Sequence, residues 1–255
     1  MNILFALEHS EYGGVEVHLE LLIKGLTSNG HKCYLACNCT TLFADAVIEE
    51  VYYVDFSSTI ETYKSLRKID FKLFDIVATH RWKAMATFIP YCKRLRIPYL
   101  STIHSIYLPE SRKDGGKYLE FPDFINKFEI KIIAVSMAVL ESLKASGVFM
   151  GNIKYIQNAI LPLENPKNPY ISVNNRNIGF LGRLSHDKGV DILLDAFEEY
   201  CSKNNEKATL IVVGSGSLSE TIYQRSKRLP SHAQIIQVGF QKNPLPFLRL
   251  SLIHI

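Results

Sequence analysis

Short apolar runs alternate with amphipathic stretches along nearly the whole chain, and that alternation narrows the fold class more than any other feature. Residues 2–7 (NILFAL), 31–38 (HKCYLACN), 51–56 (VYYVDF), 74–80 (FDIVATH), 98–104 (PYLSTIH), 131–136 (KIIAVS) and 153–160 (IKYIQNAI) read as strands. Between them, residues 15–27, 61–68, 83–95, 121–127 and 137–146 carry apolar side chains at helical spacing. Gly30 and Gly147 are placed as helix stops, and Pro90 is expected to bend its helix. Strands that alternate with helices pair in parallel through right-handed crossovers. The expectation is therefore an α/β fold with a doubly wound parallel sheet.

Residues 161–177 (LPLENPKNPYISVNNRN) break the pattern with three prolines and five asparagines. They read as a linker between an N-terminal domain over 1–160 and a second one over 178–255. The second part resumes the alternation: strand 178–181, helix 189–203, strand 209–214, a turn at 215–217, helix 218–228, strand 233–239 and a short helix within 244–250. Three strands with their helices bury little apolar surface. The second domain is thus expected to be incomplete, with its apolar tail PLPFLRLSLIHI poorly covered.

Composition excludes several classes. The chain has 255 residues, 47% of them hydrophobic, and a net charge of +4. So mild a charge argues against a dedicated nucleic-acid binder. Residues 1–60 carry 2 basic against 8 acidic side chains, and residues 61–131 carry 14 against 8. That basic middle suits peripheral contact with an anionic membrane or a phosphorylated acceptor, or else a set of solvated helix faces. There is no signal peptide or apolar run of membrane-spanning length, which predicts a cytoplasmic protein, peripheral at most at the inner face of the membrane. Cys33, Cys37 and Cys39 lie near His31, but the spacing of a zinc knuckle is missing, so buried thiols are expected and no metal.

Two kinds of motif point to chemistry. In IGFLGRLSHDKG (178–189) a strand runs into Gly182, followed by Arg183, Lys188 and a helix. A helix N-terminus offers unpaired N–H groups, a glycine lets an anion approach, and two cations there are unfavourable unless an anion joins them. A diphosphate is the natural ligand of Gly182, Arg183 and Lys188. The pair Gly13-Gly14 is either a second phosphate turn or an ordinary loop. Gly214 and Gly216 close a later strand, as backbone contacts to a nucleotide or as a plain turn. The second kind of motif is positional: His80, His104, Ser136 and Asn158 all fall where strands end. In open parallel sheets the ligand crevice lies beyond the carboxyl ends of the strands, so these four are expected to line it. No P-loop, nucleophile-elbow or G-x-G-x-x-G pattern occurs, which argues against nucleotide hydrolases of that type, serine hydrolases and nicotinamide cofactors.

The order of EYGGVEVH, ATH (78–80), STIH (101–104), IIAVS (132–136), YIQNAI (155–160), GFLGRLSHDKGVDILLDAF (179–197), LIVVGSG (210–216) and VGFQKNPLPFL (238–248) resembles the retaining glycosyltransferases of family 4. That resemblance implies the GT-B architecture of two Rossmann-like domains. It also implies transfer of a sugar from a nucleotide-diphosphate donor to a saccharide or lipid-linked acceptor, in polysaccharide- or lipopolysaccharide-type biosynthesis. By position it makes Arg183 and Lys188 the diphosphate ligands and catalytic cations, and brings Gly13 and Gly14 to the same phosphates. His104 falls near the transferred sugar. It calls for no cofactor and no metal. The family's Glu-x7-Glu stretch, which would follow the segment NPLPFLRLS, is not found after it, so the chain is expected to be C-terminally truncated. A non-catalytic fragment and a sugar-nucleotide epimerase are the alternatives.

Overall fold

The computed structural model describes residues 1–9, 12–40, 43, 47–107, 121–159, 177–248 and 253–254. The chain forms two compact units, Met1–Leu161 and Pro162–Ile255.

In the first unit seven strands form one sheet: β1 (Asn2–Leu7), β2 (Lys32–Cys37), β3 (Val51–Tyr53), β4 (Ile76–His80), β5 (Tyr99–Ile103), β6 (Lys131–Ala134) and β7 (Ile153–Tyr155). All pairings are parallel, in the order β3-β2-β1-β4-β5-β6-β7. The helices are α1 (Gly14–Ser28), α2 (Thr59–Leu66), α3 (Trp82–Leu95), α4 (Phe121–Phe128) and α5 (Met137–Ala145). Strand side chains alternate between faces and both faces are covered, which explains why β1 is apolar from Ile3 to Leu7. Ile3, Phe5 and Leu7 pack with Leu19 and Ile23 of α1. Leu4 and Ala6 pack on the other face with Leu66, Phe71 and Phe88. A third cluster joins Met85 and Ile89 of α3 to Ile125 of α4 and Leu143 of α5. Cys33 and Cys37 lie beside Leu35 in the α1-side core, whereas Cys39 falls beyond β2 and is half-buried. Pro90 sits inside α3.

The second unit holds β8 (Asn177–Leu181), β9 (Ala208–Val213), β10 (Ala233–Gly239) and β11 (Ile253–His254), with helices α6 (Val190–Lys203), α7 (Ser219–Ser226) and α8 (Leu245–Leu248). The strands are parallel in the order β10-β9-β8-β11. Numbered from its own first strand, this sheet runs 3-2-1-4, as the first unit's does around β1. Phe180, Leu210 and Val212 pack against Leu194 and Phe197 of α6 and Ile222 of α7. Arg225 of α7 ties the two helices through Glu198 at 2.6 Å and Asp195 at 2.7 Å.

Several expectations change. The sheet of the second unit has four strands rather than three, because Ile253 and His254 pair with Ile178 and Gly179. Asn177 is the buried first residue of β8, not linker. The rest of the expected linker lies outside the described residues. The strand expected over 153–160 ends at Tyr155. Among the described residues, no helix is long and apolar enough to cross a membrane.

Candidate functional site

The strand order places a topological switch point between β1 and β4, where successive crossovers leave the sheet in opposite directions. Three polar groups converge at the carboxyl ends there. His80 is the last residue of β4 and is fully buried. His104 directly follows β5, and the two imidazoles meet with His80 Nδ1 2.9 Å from His104 Nε2. His18, in the second turn of α1, lies edge-on to His104 with ring centroids 4.9 Å apart, and 5.9 Å from His80. Burial pushes the His80 imidazole well below its ordinary pKa, helped by the neighbouring His104, His18 and Arg81. Burial likewise lowers His104 to about 4, with His18 and Arg81 adding to it. It lowers His18 too, opposed by a hydrogen bond with Asn158. At neutral pH the three rings are neutral, each with one donor and one acceptor nitrogen.

Beside them sits a buried carboxylate. Glu16, fully buried in the first turn of α1, accepts from Arg81 Nη2 at 2.7 Å and from the Gly13 N–H at 3.0 Å, and lies 3.2 Å from His9 Nδ1. Arg81 Nη1 also donates to the Glu8 carbonyl at 3.2 Å. Arg81 adopts φ 68° and ψ 159°, a region that is nearly glycine-only and costs on the order of 1–3 kcal/mol. The Arg81–Glu16 pair thus fixes the start of α1 to the end of β4.

The second unit has its own carboxyl-end loop. After β8, the Gly182 N–H bonds the Val213 carbonyl at 3.1 Å and the Leu184 N–H bonds the Ser215 carbonyl at 2.9 Å. A Cβ at Gly214 would lie 1.9 Å from the Gly182 carbonyl oxygen, and one at Gly216 would lie 2.4 Å from that of Leu184. The two glycines are what allow these loops to touch. Arg183 is half exposed, its Nη2 3.8 Å from Asp187 Oδ2. Lys188 is exposed and ends a single 3-10 turn over His186–Lys188, and Gly189 at φ 68° starts α6.

The residues singled out from sequence therefore group by unit. His80 and His104 are in contact, and Asn158 joins them through His18. Ser136 Oγ accepts from the Val139 N–H at 3.2 Å as the N-cap of α5. Gly13 gives its N–H to Glu16, while Gly14 is exposed. Gly182, Arg183, Lys188, Gly214 and Gly216 cluster at the β8 and β9 ends of the other unit. Sequence reading missed Glu16, His18 and Arg81. The usable signal was the spacing of Gly13 and Glu16, that of a capping box, with His18 one turn beyond Gly14.

Residues 12–161 match the family model described as Glycosyltransferase Family 4. This chain belongs to Glycosyltransferase Family 4. Residues 164–253 of this family 4 chain match the model for Glycosyl transferases group 1. An uncharacterized glycosyltransferase of Methanocaldococcus jannaschii is 22% identical over 260 residues, covering 89% of this chain and 66% of the relative. The crystal structure of Anabaena HepE in complex with UDP-glucose superposes with a TM-score of 0.78 at 20% identity, over 100% of this chain and 73% of that one. That of WaaG, a glycosyltransferase involved in lipopolysaccharide biosynthesis, gives 0.67 at 12% identity, over 99% and 74%. The family 4 chain thus spans 66% of the length of its curated relative. The likeness to these structures establishes the GT-B class of fold, with its two Rossmann-like units.

Proposed function

We propose that this family 4 chain takes part in transferring a sugar, with retention, from a nucleotide-diphosphate donor to a saccharide or lipid-linked acceptor in polysaccharide- or lipopolysaccharide-type biosynthesis. The observation that carries the reading is the loop after β8, where Arg183 and Lys188 extend into solvent from a backbone pinned by Gly214 and Gly216. Two cations there stabilise the departing nucleoside diphosphate electrostatically, the work that a metal does elsewhere. No protein nucleophile or metal is assigned to the step. UDP is the nucleotide of choice, because HepE, which shares the fold, was crystallised with UDP-glucose. In the first unit, the neutral His104 offers a hydrogen bond to a sugar hydroxyl, and Gly14 offers an exposed backbone for phosphate approach. The epimerase alternative needs a carboxylate free for proton transfer, and both oxygens of Glu16 are engaged. Exposed Lys93, Arg94 and Lys127, next to Tyr91 and Phe128, support peripheral contact with an anionic lipid-linked acceptor at the cytoplasmic face.

Calorimetric titration of UDP-glucose tests the reading. Arg183→Ala and Lys188→Ala are each expected to weaken binding about tenfold or more, about 1.4 kcal/mol. Unchanged affinity in both variants, or no affinity for any UDP- or GDP-sugar, would overturn it.

A further inference from the structure

We propose that Asp187 is a built-in counter-ion of the loop after β8, which pairs with Arg183 in the absence of ligand and competes with the nucleoside diphosphate for it. The inference rests on the donor reading of that loop and names how its hold on the nucleotide is regulated.

Arg183 and Lys188 both stand just before the N-terminus of α6, where the helix dipole disfavours positive charge. Sequence alone calls for an anion to join them. The chain supplies one itself. Asp187 lies between the two cations in sequence, and its Oδ2 is 3.8 Å from Arg183 Nη2. The neighbouring Ser185 holds the Asp187 carboxyl below its ordinary pKa, with Arg183 and Lys188 adding to the effect. The carboxylate of Asp191, in the first turn of α6, is engaged elsewhere: its Oδ2 is 2.6 Å from His186 Nδ1.

Backbone bonds hold the loop in the shape that brings Asp187 back to Arg183. The Ser185 N–H bonds the Arg183 carbonyl at 3.0 Å, the Lys188 N–H bonds that of Ser185 at 3.1 Å, and the Gly189 N–H bonds that of His186 at 3.0 Å. Both side chains stay open to water, Arg183 at 48% and Asp187 at 61%. At 3.8 Å their contact is a charge pair and not a hydrogen bond. Exposed pairs of this kind are weak, whereas a phosphate takes a guanidinium through two short charge-assisted bonds. A diphosphate therefore displaces the carboxylate. When the nucleotide leaves, the carboxylate is at hand to take Arg183 back. The loop thus keeps its cations balanced without ligand, and its grip on the product is moderated.

Calorimetric titration of UDP into the full chain tests this. Asp187→Asn keeps the size of the side chain and removes its charge. It is expected to bind UDP about three- to fivefold more tightly than the parent, the scale of an exposed pair. That gain is expected to shrink as salt is raised from about 0.02 M to about 0.5 M. In the Arg183→Ala background the same substitution is expected to gain less than about twofold, because the partner it competes for is gone. Glu199→Gln removes one negative charge from the last turns of α6, where Glu199 pairs with Lys203, and is expected to leave UDP affinity unchanged. Asp187→Ser is a second neutral variant held to the same outcome, and circular dichroism checks the folding of each. Unchanged or weaker UDP binding in the neutral variants overturns the inference. So does an equal gain in Glu199→Gln or in the Arg183→Ala background. If Arg183→Ala and Lys188→Ala bind UDP as the parent does, or none of the proteins binds it, the donor reading itself falls and takes the inference with it.

Discussion

The Arg81–Glu16 pair makes a sharp prediction about the substitution Glu16→Gln. Glutamine preserves shape but replaces one oxygen by a donor. If its amide nitrogen takes the Oε1 position it faces Arg81 Nη2, and at Oε2 it faces the Gly13 N–H. Either orientation sets donor against donor. The lost attraction between unit charges about 4 Å apart is worth about 4 kcal/mol at an effective dielectric near 20. Breaking a buried pair costs about 3–5 kcal/mol. Arg81 retains 24% side-chain exposure and recovers part of that by hydration. The expected destabilisation is therefore about 3 kcal/mol. It is measured by urea unfolding followed through Trp82, the only tryptophan of the chain, which packs on Phe121 and Phe124 in the same unit. A companion pair isolates the backbone. Arg81→Ala and Arg81→Gly both lose the ion pair, but glycine accepts φ 68° without strain. Arg81→Gly should thus be the more stable of the two by about 1 kcal/mol. A Glu16→Gln protein within about 0.5 kcal/mol of the parent, or an alanine variant as stable as the glycine one, would refute the reasoning.

The loops of the second unit should respond unequally to added methyl groups. Gly214→Ala places Cβ against a backbone oxygen at φ 144° and is expected to abolish cooperative unfolding of that unit in calorimetry. Gly189→Ala meets open space and is expected to cost only the left-handed backbone penalty, about 1 kcal/mol. Ser136→Ala removes the α5 cap and should lower stability by about 1 kcal/mol without altering UDP-glucose affinity, read by unfolding and titration in parallel.

Local pattern carried most of the fold. β1 was legible because five successive residues, Ile3 to Leu7, apolar on both faces can only be a central strand of a covered sheet, and His80 stood out as a polar end to such a run. β11 was not legible, since two residues have no period and exist as strand only through pairing with β8, at the far end of the unit in sequence. Glu16 and His18 were hidden for a related reason. On an amphipathic helix a carboxylate reads as solvated surface, and its burial here depends on an arginine 65 residues further along. The glycines of GSG looked like turn chemistry, and the demand for them comes from the oxygens of Gly182 and Leu184 on another loop.

The buried thiols have a practical consequence, for Cys92 and Cys201 lie in the hydrophobic clusters as Cys33 and Cys37 do. Cys33, Cys37, Cys92 and Cys201 are almost wholly shielded, and burial raises every one of these thiols, Cys37 to about 11 and Cys92 to about 12. Thiolate is the reactive form, so alkylation must wait until the surrounding structure opens. Cys201 is the only cysteine in the sequence after Cys92, and hence the only one in the second unit. Pulsed alkylation read by peptide mass is thereby a built-in clock that times the opening of each unit separately, without any engineered probe.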